Sequence, residues 1–302
     1  MLATLPATRG NQLVWFDRQG RRTGIVAPPG HYNVLCLTAD DRRLVYEMAD
    51  PETANVDLWA LDLSPGATPT RLTFTPTVDF YPVCSPDGRE VIFSSLRAGP
   101  PNLYRLLMAA PGSETMAVHS PMPKIATDWS RDGRLLVYGE LNQATHWDIK
   151  VARLGGGDTI TFAGTDTDER GARLSPDGKW IAYVSYESGR PEVFVQPFPA
   201  TGARWQVSKD GGQQPQWQQD GRQLYYLAAG RKLIAVDVIT KDGTFSTGTS
   251  YPLVDARITG GERGGQGCQY AVTRDGARFI VATATDTVVP AAVTVNWTAL
   301  VN

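Results

Sequence analysis

Apolar and polar positions alternate along most of this chain in short runs, and nearly every run is closed by Gly, Pro, Asp or Ser. Residues 174–190, LSPDGKWIAYVSYESGR, show the unit most clearly. Ser175-Pro176-Asp177-Gly178 is turn chemistry: Pro176 presets φ at the second position, Asp177 tolerates the bridge region and Gly178 can take positive φ. The following residues have period two, with Trp180, Ala182 and Val184 on one side of a strand and Ile181, Tyr183 and Ser185 on the other. The unit recurs as LTADDRRLVY (37–46), CSPDGREVIF (84–93), WSRDGRLLVY (129–138), WQQDGRQLYY (217–226) and VTRDGARFIV (272–281). Successive turn aspartates, Asp40, Asp87, Asp132, Asp177, Asp220 and Asp275, are 47, 45, 45, 43 and 55 residues apart. A period in the forties made of short strands predicts an all-β, six-bladed β-propeller with four-stranded blades.

Each turn should join the first and second strands of a blade. The third strands are expected at 57–63, 102–108, 148–154, 192–198 and 232–238, and the fourth at 70–74, 114–119, 158–163, 204–208 and 252–256. Residues 13–27, LVWFDRQGRRTGIVA, read as two strands around Gln19-Gly20 with nothing before them to complete a blade. They are therefore expected to supply the third and fourth strands of the blade begun by residues 268–283. Strands from both chain ends would then close the ring and remove its edges. Residues 292–300, AVTVNWTAL, are also strand-like and compete for that third position. No linker or charge block divides the chain, so residues 1–302 are read as one domain, with residues 1–10 a flexible tail.

Composition changes this picture little. Hydrophobic residues are 42% and charged residues 20%, with 30 Gly and 21 Pro, which suits many strands joined by tight turns. A net charge of -2 gives no electrostatic reason to expect nucleic acid or an anionic membrane as partner. Cys36, Cys84 and Cys268 fall in or at the start of first strands, where buried free thiols are expected. No apolar run approaches the length of a membrane span, and MLATLPATRGNQ lacks the regions of a signal peptide, so neither self-export nor direct membrane insertion is expected of the chain as given.

The repeat resembles the TolB-like, WD-like propeller repeat: Ser85-Pro86-Asp87-Gly88, an apolar strand, then Leu103-Tyr104, with Leu58-Trp59 in the preceding copy. The resemblance spans essentially the whole chain, with the turn decayed to Thr38-Ala39-Asp40-Asp41 in the first copy. Residues 186–221, YESGRPEVFVQPFPATGARWQVSKDGGQQPQWQQDG, together with NWTAL at 296–300 and LVWFDRQG at 13–20, are similar to the C-terminal propeller fused to bacterial membrane serine/threonine kinases. That resemblance implies an extracytoplasmic or periplasmic sensor or protein-binding module. The chain itself has no Gly-rich nucleotide loop and no H-R-D catalytic loop. Similar propellers precede the hydrolase half of prolyl oligopeptidases, but no G-x-S-x-G elbow occurs.

Strand direction sorts the loops onto two faces. The Asp-Gly corners and third-to-fourth turns share one, the turn face. The second-to-third and blade-to-blade connections share the other, the loop face, where binding residues on a rigid scaffold normally lie. Counting eight and seven residues back from each turn aspartate gives Tyr32/Asn33, Asp79/Phe80, Lys124/Ile125, Glu169/Arg170, Gly212/Gln213 and Gly267/Cys268. These begin the innermost strands, so Asp79, Lys124, Glu169 and Arg170 are expected to ring the channel mouth and make it polar and mixed in charge. Arg97, Trp147, Arg190 and Arg263 add residue types enriched at interface hot spots. The turn aspartates are expected to serve backbone geometry, and Tyr46, Phe93, Tyr138, Tyr183 and Tyr226 to pack between blades.

Two function classes follow. The first is a non-enzymatic propeller, a sensor or interaction module, binding a protein or peptide, or a small ligand, through the loop face and channel mouth at Asp79, Lys124, Glu169, Arg170, Arg190 and Trp147, with no cofactor and no catalytic residue. The alternative is a small-molecule or carbohydrate-active lyase-like or hydrolase-like enzyme at the same mouth. Its motive is that His31, His119 and His146 register to the loop face beside the Asp79, Glu169 and Arg170 ring; these histidines, and the D-x-D of Asp166 and Asp168 in GTDTDERG, are weak metal candidates.

Overall fold

The computed structural model describes residues 9–50, 52–241, 243–255, 257–258 and 266–288. Its corners form as their chemistry requires. In the fourth copy the Gly178 amide donates to the Ser175 carbonyl (2.9 Å), and Asp177 Oδ1 accepts from the Ser175 hydroxyl (2.6 Å) and the Lys179 amide (3.1 Å). Gly178 sits at φ +72°, a conformation that Asp41 supplies at φ 60° in the decayed first copy. Hydroxyl donors at Thr38, Ser85, Ser130 and Thr273 hold the Asp40, Asp87, Asp132 and Asp275 carboxyls below their ordinary pKa. These aspartates are turn scaffolding, as expected.

The strands assemble into six four-stranded antiparallel sheets. Blade 1 is Tyr32–Leu37, Arg43–Ala49, Val56–Asp62 and Thr70–Arg71; blade 2 is Asp79–Cys84, Glu90–Ser95, Asn102–Leu107 and Thr115–Val118. Blade 3 is Lys124–Trp129, Leu135–Asn142, His146–Arg153 and Ile160–Ala163; blade 4 is Glu169–Leu174, Trp180–Ser185, Glu192–Pro197 and Trp205–Gln206. Blade 5 is Gly212–Trp217, Gln223–Ala228, Lys232–Lys241 and Thr244–Asp255, with the last strand much longer than the sequence suggests. That extension carries Phe245 onto Trp180, Trp205 and Trp217, with ring centroids 5.6, 5.9 and 6.4 Å away.

Blade 6 joins the chain ends. Tyr270–Val272 and Arg278–Val288 come from the C-terminal side, Arg9–Asp17 takes the third position and Arg22–Gly30 the fourth. Residues 292–300, the other claimant, lie outside the described residues. The closing strand reaches back into the expected tail, since Arg9 pairs with Val288 and the Gly10 carbonyl accepts from Thr285 Oγ1 (3.1 Å).

Each pair of neighbouring blades encloses its own apolar cluster, and the six clusters complete the ring. The blade 5–6 cluster includes Val14, Phe16, Tyr225 and Phe279; the blade 6–1 cluster includes Leu13, Ala27, Tyr46 and Ile280. Tyr46, Phe93, Tyr138, Tyr183 and Tyr226 are all buried at these seams. The cysteines depart from expectation. Inner strands of adjacent blades run side by side, which brings Cys36 and Cys84 to a Cα–Cα distance of 6.0 Å in a disulfide; only Cys268 is a buried free thiol.

Candidate functional site

The residues that begin the inner strands do not form the channel wall. Asp79, Lys124 and Glu169 are at most 2% exposed. Asp79 receives Arg97 Nη2 and Thr75 Oγ1, each at 3.1 Å. Lys124 Nζ donates to Asn102 Oδ1 (2.9 Å) and to the Ser120 (2.9 Å) and Met122 (2.6 Å) carbonyls. Glu169 accepts from the Thr165 amide (3.1 Å) and the Thr167 hydroxyl (3.3 Å). Each side chain thus ties down the blade-to-blade connection that precedes its own strand. Burial pushes the Glu169 carboxyl up and the Lys124 ammonium down from their usual pKa ranges. In blade 5 the same position is Gly212, where a Cβ would lie 2.5 Å from Ser208 Oγ.

What lines the mouth is set one and two residues further in. Pairing between first and second strands skips there, between Tyr32 and Leu35, Phe80 and Val83, Ala126 and Asp128, Arg170 and Arg173, and Gln213 and Gln216. Tyr81 and Gln214 take φ 55° and Gly171 φ 60° at these bulges. A bulge breaks the in-out alternation and re-aims side chains, so consecutive residues face the channel. Val34, Tyr81 and Ile125 form an apolar cluster with Phe80 and Trp147 packed on it. Val34, Phe80, Tyr81 and Ile125, together with Leu96, Gln214 and Gln269, border a cavity of about 300 Å³. The expected polar, mixed-charge mouth is instead largely apolar.

Among the described residues the cavity's one charged lining residue is the buried Glu47, whose Oε1 accepts the Val34 amide (3.2 Å), and a second charged arrangement stands beside the cluster. Arg170 Nη2 donates to Asp168 Oδ2 (2.9 Å), its guanidinium lies 5.9 Å from the Trp147 ring and 5.6 Å from the Tyr186 ring, and Asp168 Oδ1 accepts the Trp147 amide (3.1 Å). Trp147 and Arg170 are therefore brought together. Arg190 lies elsewhere on the loop face, bonded to Glu192 Oε1 (2.8 Å) and the Lys209 carbonyl. Arg97 is not exposed: it sits over Tyr104 (4.6 Å) between Asp79 and Glu114. Arg263 lies outside the described residues.

The metal candidates do not converge. His31 is in the blade 6–1 connection, His119 is exposed in the blade 2–3 connection, and His146 is exposed at a hairpin of blade 3. Asp166 is exposed, whereas Asp168 is engaged with Trp147 and Arg170. Among the described residues no three of His, Cys, Asp and Glu gather closely enough to hold a metal ion.

The entry to blade 6 shapes the mouth in a way the repeat register does not reveal. Residues 266–269, ahead of the first strand of blade 6, reach across the channel to blade 4 and to the flanking blades 1 and 5. The Gln266 side chain is buried and accepts the Gly171 amide of blade 4 (3.2 Å). The Cys268 carbonyl accepts Leu35 N–H of blade 1 (2.8 Å), and Gln269 N–H donates to Gln214 Oε1 of blade 5 (2.8 Å). Gly267 lies so close to Val34 and Tyr81 that a Cβ would stand 2.3 and 2.7 Å from their side chains. Only glycine fits this crossing.

No family model matches the chain. It is 30% identical over 134 residues to a TolB homologue from Chlorobium luteolum, a match covering 43% of this chain and 29% of that protein. The match thus spans under a third of that relative's length. A solved structure assigned as TolB from Agrobacterium tumefaciens superposes with a TM-score of 0.70 at 16% identity, covering 93% of this chain and all of that one. An oligogalacturonate lyase solved with manganese shares the fold at a TM-score of 0.58 and 17% identity, over 89% of this chain and 78% of the lyase. The architecture is that of a TolB-like six-bladed β-propeller.

Proposed function

We propose that this TolB-like propeller is a non-enzymatic interaction module that binds a peptide or protein segment at the loop-face mouth of its channel. The observation that carries this reading is the apolar cavity bordered by Phe80, Tyr81, Ile125 and Val34, with Trp147 packed on the same cluster and Arg170 beside it. A cavity of this size takes one or two apolar side chains, and aromatic and arginine residues around a concave pocket are the types that dominate interface energetics. Trp147, Arg170 and the more distant Arg190 are the contact residues of this reading. Asp79, Lys124 and Glu169 serve it by fixing the connections around the mouth. The likeness of residues 186–221 to kinase-borne propellers favours a sensor working outside the cytoplasm.

Peptide display on the purified protein tests the site. Selected peptides are expected to lose binding by tenfold or more when Phe80 or Trp147 is changed to Ala, as for hot-spot truncations costing about 2 kcal/mol. Arg134→Ala, on the turn face, should leave affinity unchanged. Peptides that bind the Phe80→Ala and Trp147→Ala proteins as tightly as the parent would reject the mouth as the site.

A further inference from the structure

The opposite end of the channel holds a second cavity, about 210 Å³, which opens among the Asp-Gly corners. Trp129, Trp217 and Leu37 are among its walls, and its charged lining residues are Arg131, Arg173 and Asp128. Arg173 is poorly compensated. Among the described residues its carboxylate partner is Asp128, whose Oδ1 is 3.9 Å from Nη1, while the other Asp128 oxygen is taken by the Leu174 amide (2.7 Å). Nη2 faces the Cys268 sulfur at 3.2 Å, and Nε is buried with no hydrogen-bond partner among the described residues. A native protein rarely leaves a guanidinium so underused, because a buried donor without an acceptor retains its desolvation cost.

Two guanidiniums against one carboxylate leave the lining with a surplus of one positive charge. We infer that the turn-face cavity is a binding site for a small organic monocarboxylate, whose anion lies against the Arg173 guanidinium and whose apolar body lies among Trp129, Trp217 and Leu37. The planar fork of arginine suits a carboxylate, the indoles suit a flat apolar group, and the volume admits only a small molecule. Asp128 opposes binding by sharing the cation. This site is separate from the loop-face mouth, so each stands or falls alone.

Benzoate is a suitable probe and benzamide its uncharged isostere. Titration calorimetry on the intact chain is expected to show saturable millimolar-or-tighter binding of benzoate, weakened by salt, and none of benzamide. Arg173→Gln should weaken benzoate at least tenfold. Asp128→Asn, which keeps an acceptor for the Leu174 amide, should tighten it several-fold. Should Arg173→Gln fail to fold, the Asp128→Asn result and the benzoate–benzamide contrast decide the matter. Equal binding of the two probes, no benzoate binding, or an Asp128→Asn protein that binds benzoate no better than the parent would overturn the inference.

Discussion

Removal of residues 1–27 is expected to abolish soluble expression. The deletion takes out the third strand of blade 6 and most of the fourth, leaving Arg278–Val288 as an unpaired edge, the kind of edge that recruits other chains. It also strips Leu13 and Ala27 from the blade 6–1 seam and Val14 and Phe16 from the blade 5–6 seam, all nearly fully buried. Truncating one large core side chain costs about 2–5 kcal/mol, and a domain's whole stability is about 5–15 kcal/mol. Losing three large side chains together with two strands therefore exceeds what the remainder can supply. Deleting only residues 1–8 should leave solubility and a single cooperative melt intact, because every described pairing of the closing strand begins at Arg9. A soluble, cooperatively melting protein lacking residues 1–27 would contradict closure by the N-terminal strands.

Gly267→Val is expected to lower the melting temperature by several degrees and to disorder the packing at the loop-face mouth. Gly267 does not occupy the left-handed region, so the effect comes from space rather than backbone strain. Even a Cβ would overlap Val34 Cγ2 and the Tyr81 ring, both set in the channel wall. Inserting atoms into packing of this kind costs about 1–3 kcal/mol. Gly24→Ala makes a fair control, since its Cβ would meet only the Trp15 ring at an ordinary 3.8 Å. Thermal melts of the two variants should differ clearly; equal melts would mean that residues 266–268 do not cross the channel as described.

The ring and its closure were legible in the sequence because both rest on local chemistry. Every corner carries its Asp, five of the six a following Gly and five a hydroxyl residue two positions before the Asp, and the unpaired strands at 13–27 could only complete a blade begun elsewhere. The mouth was less legible. Register locates where five of the six inner strands begin, the sixth starting at Tyr270 and not at Gly267, but Asp79, Lys124 and Glu169 turn inward to the connections, and the wall is made by residues at a bulge that no residue type advertises. Tyr81, at φ 55°, is an unlikely candidate for a left-handed conformation from its side chain alone. Phe80 and Ile125 have the right register, but their charged neighbours Asp79 and Lys124 carry the more conspicuous chemistry. Trp147 and Arg170 were recognisable by type, and the structure adds that they meet. The Cys36–Cys84 bridge has a signal in the sequence, since both residues sit in inner strands of consecutive blades. The crossing of residues 266–268 had none beyond the glycine itself.

The mouth as a protein-binding site is tested most directly by site-specific photocrosslinking in the source cell. Benzoylphenylalanine placed at Phe80 should yield a discrete protein adduct that disappears when Trp147 is changed to Ala. The same group placed at Arg134, exposed on the turn face, should yield none. Adducts formed equally well from Arg134, or a Phe80 adduct indifferent to loss of Trp147, would contradict the assignment of binding to the loop-face mouth.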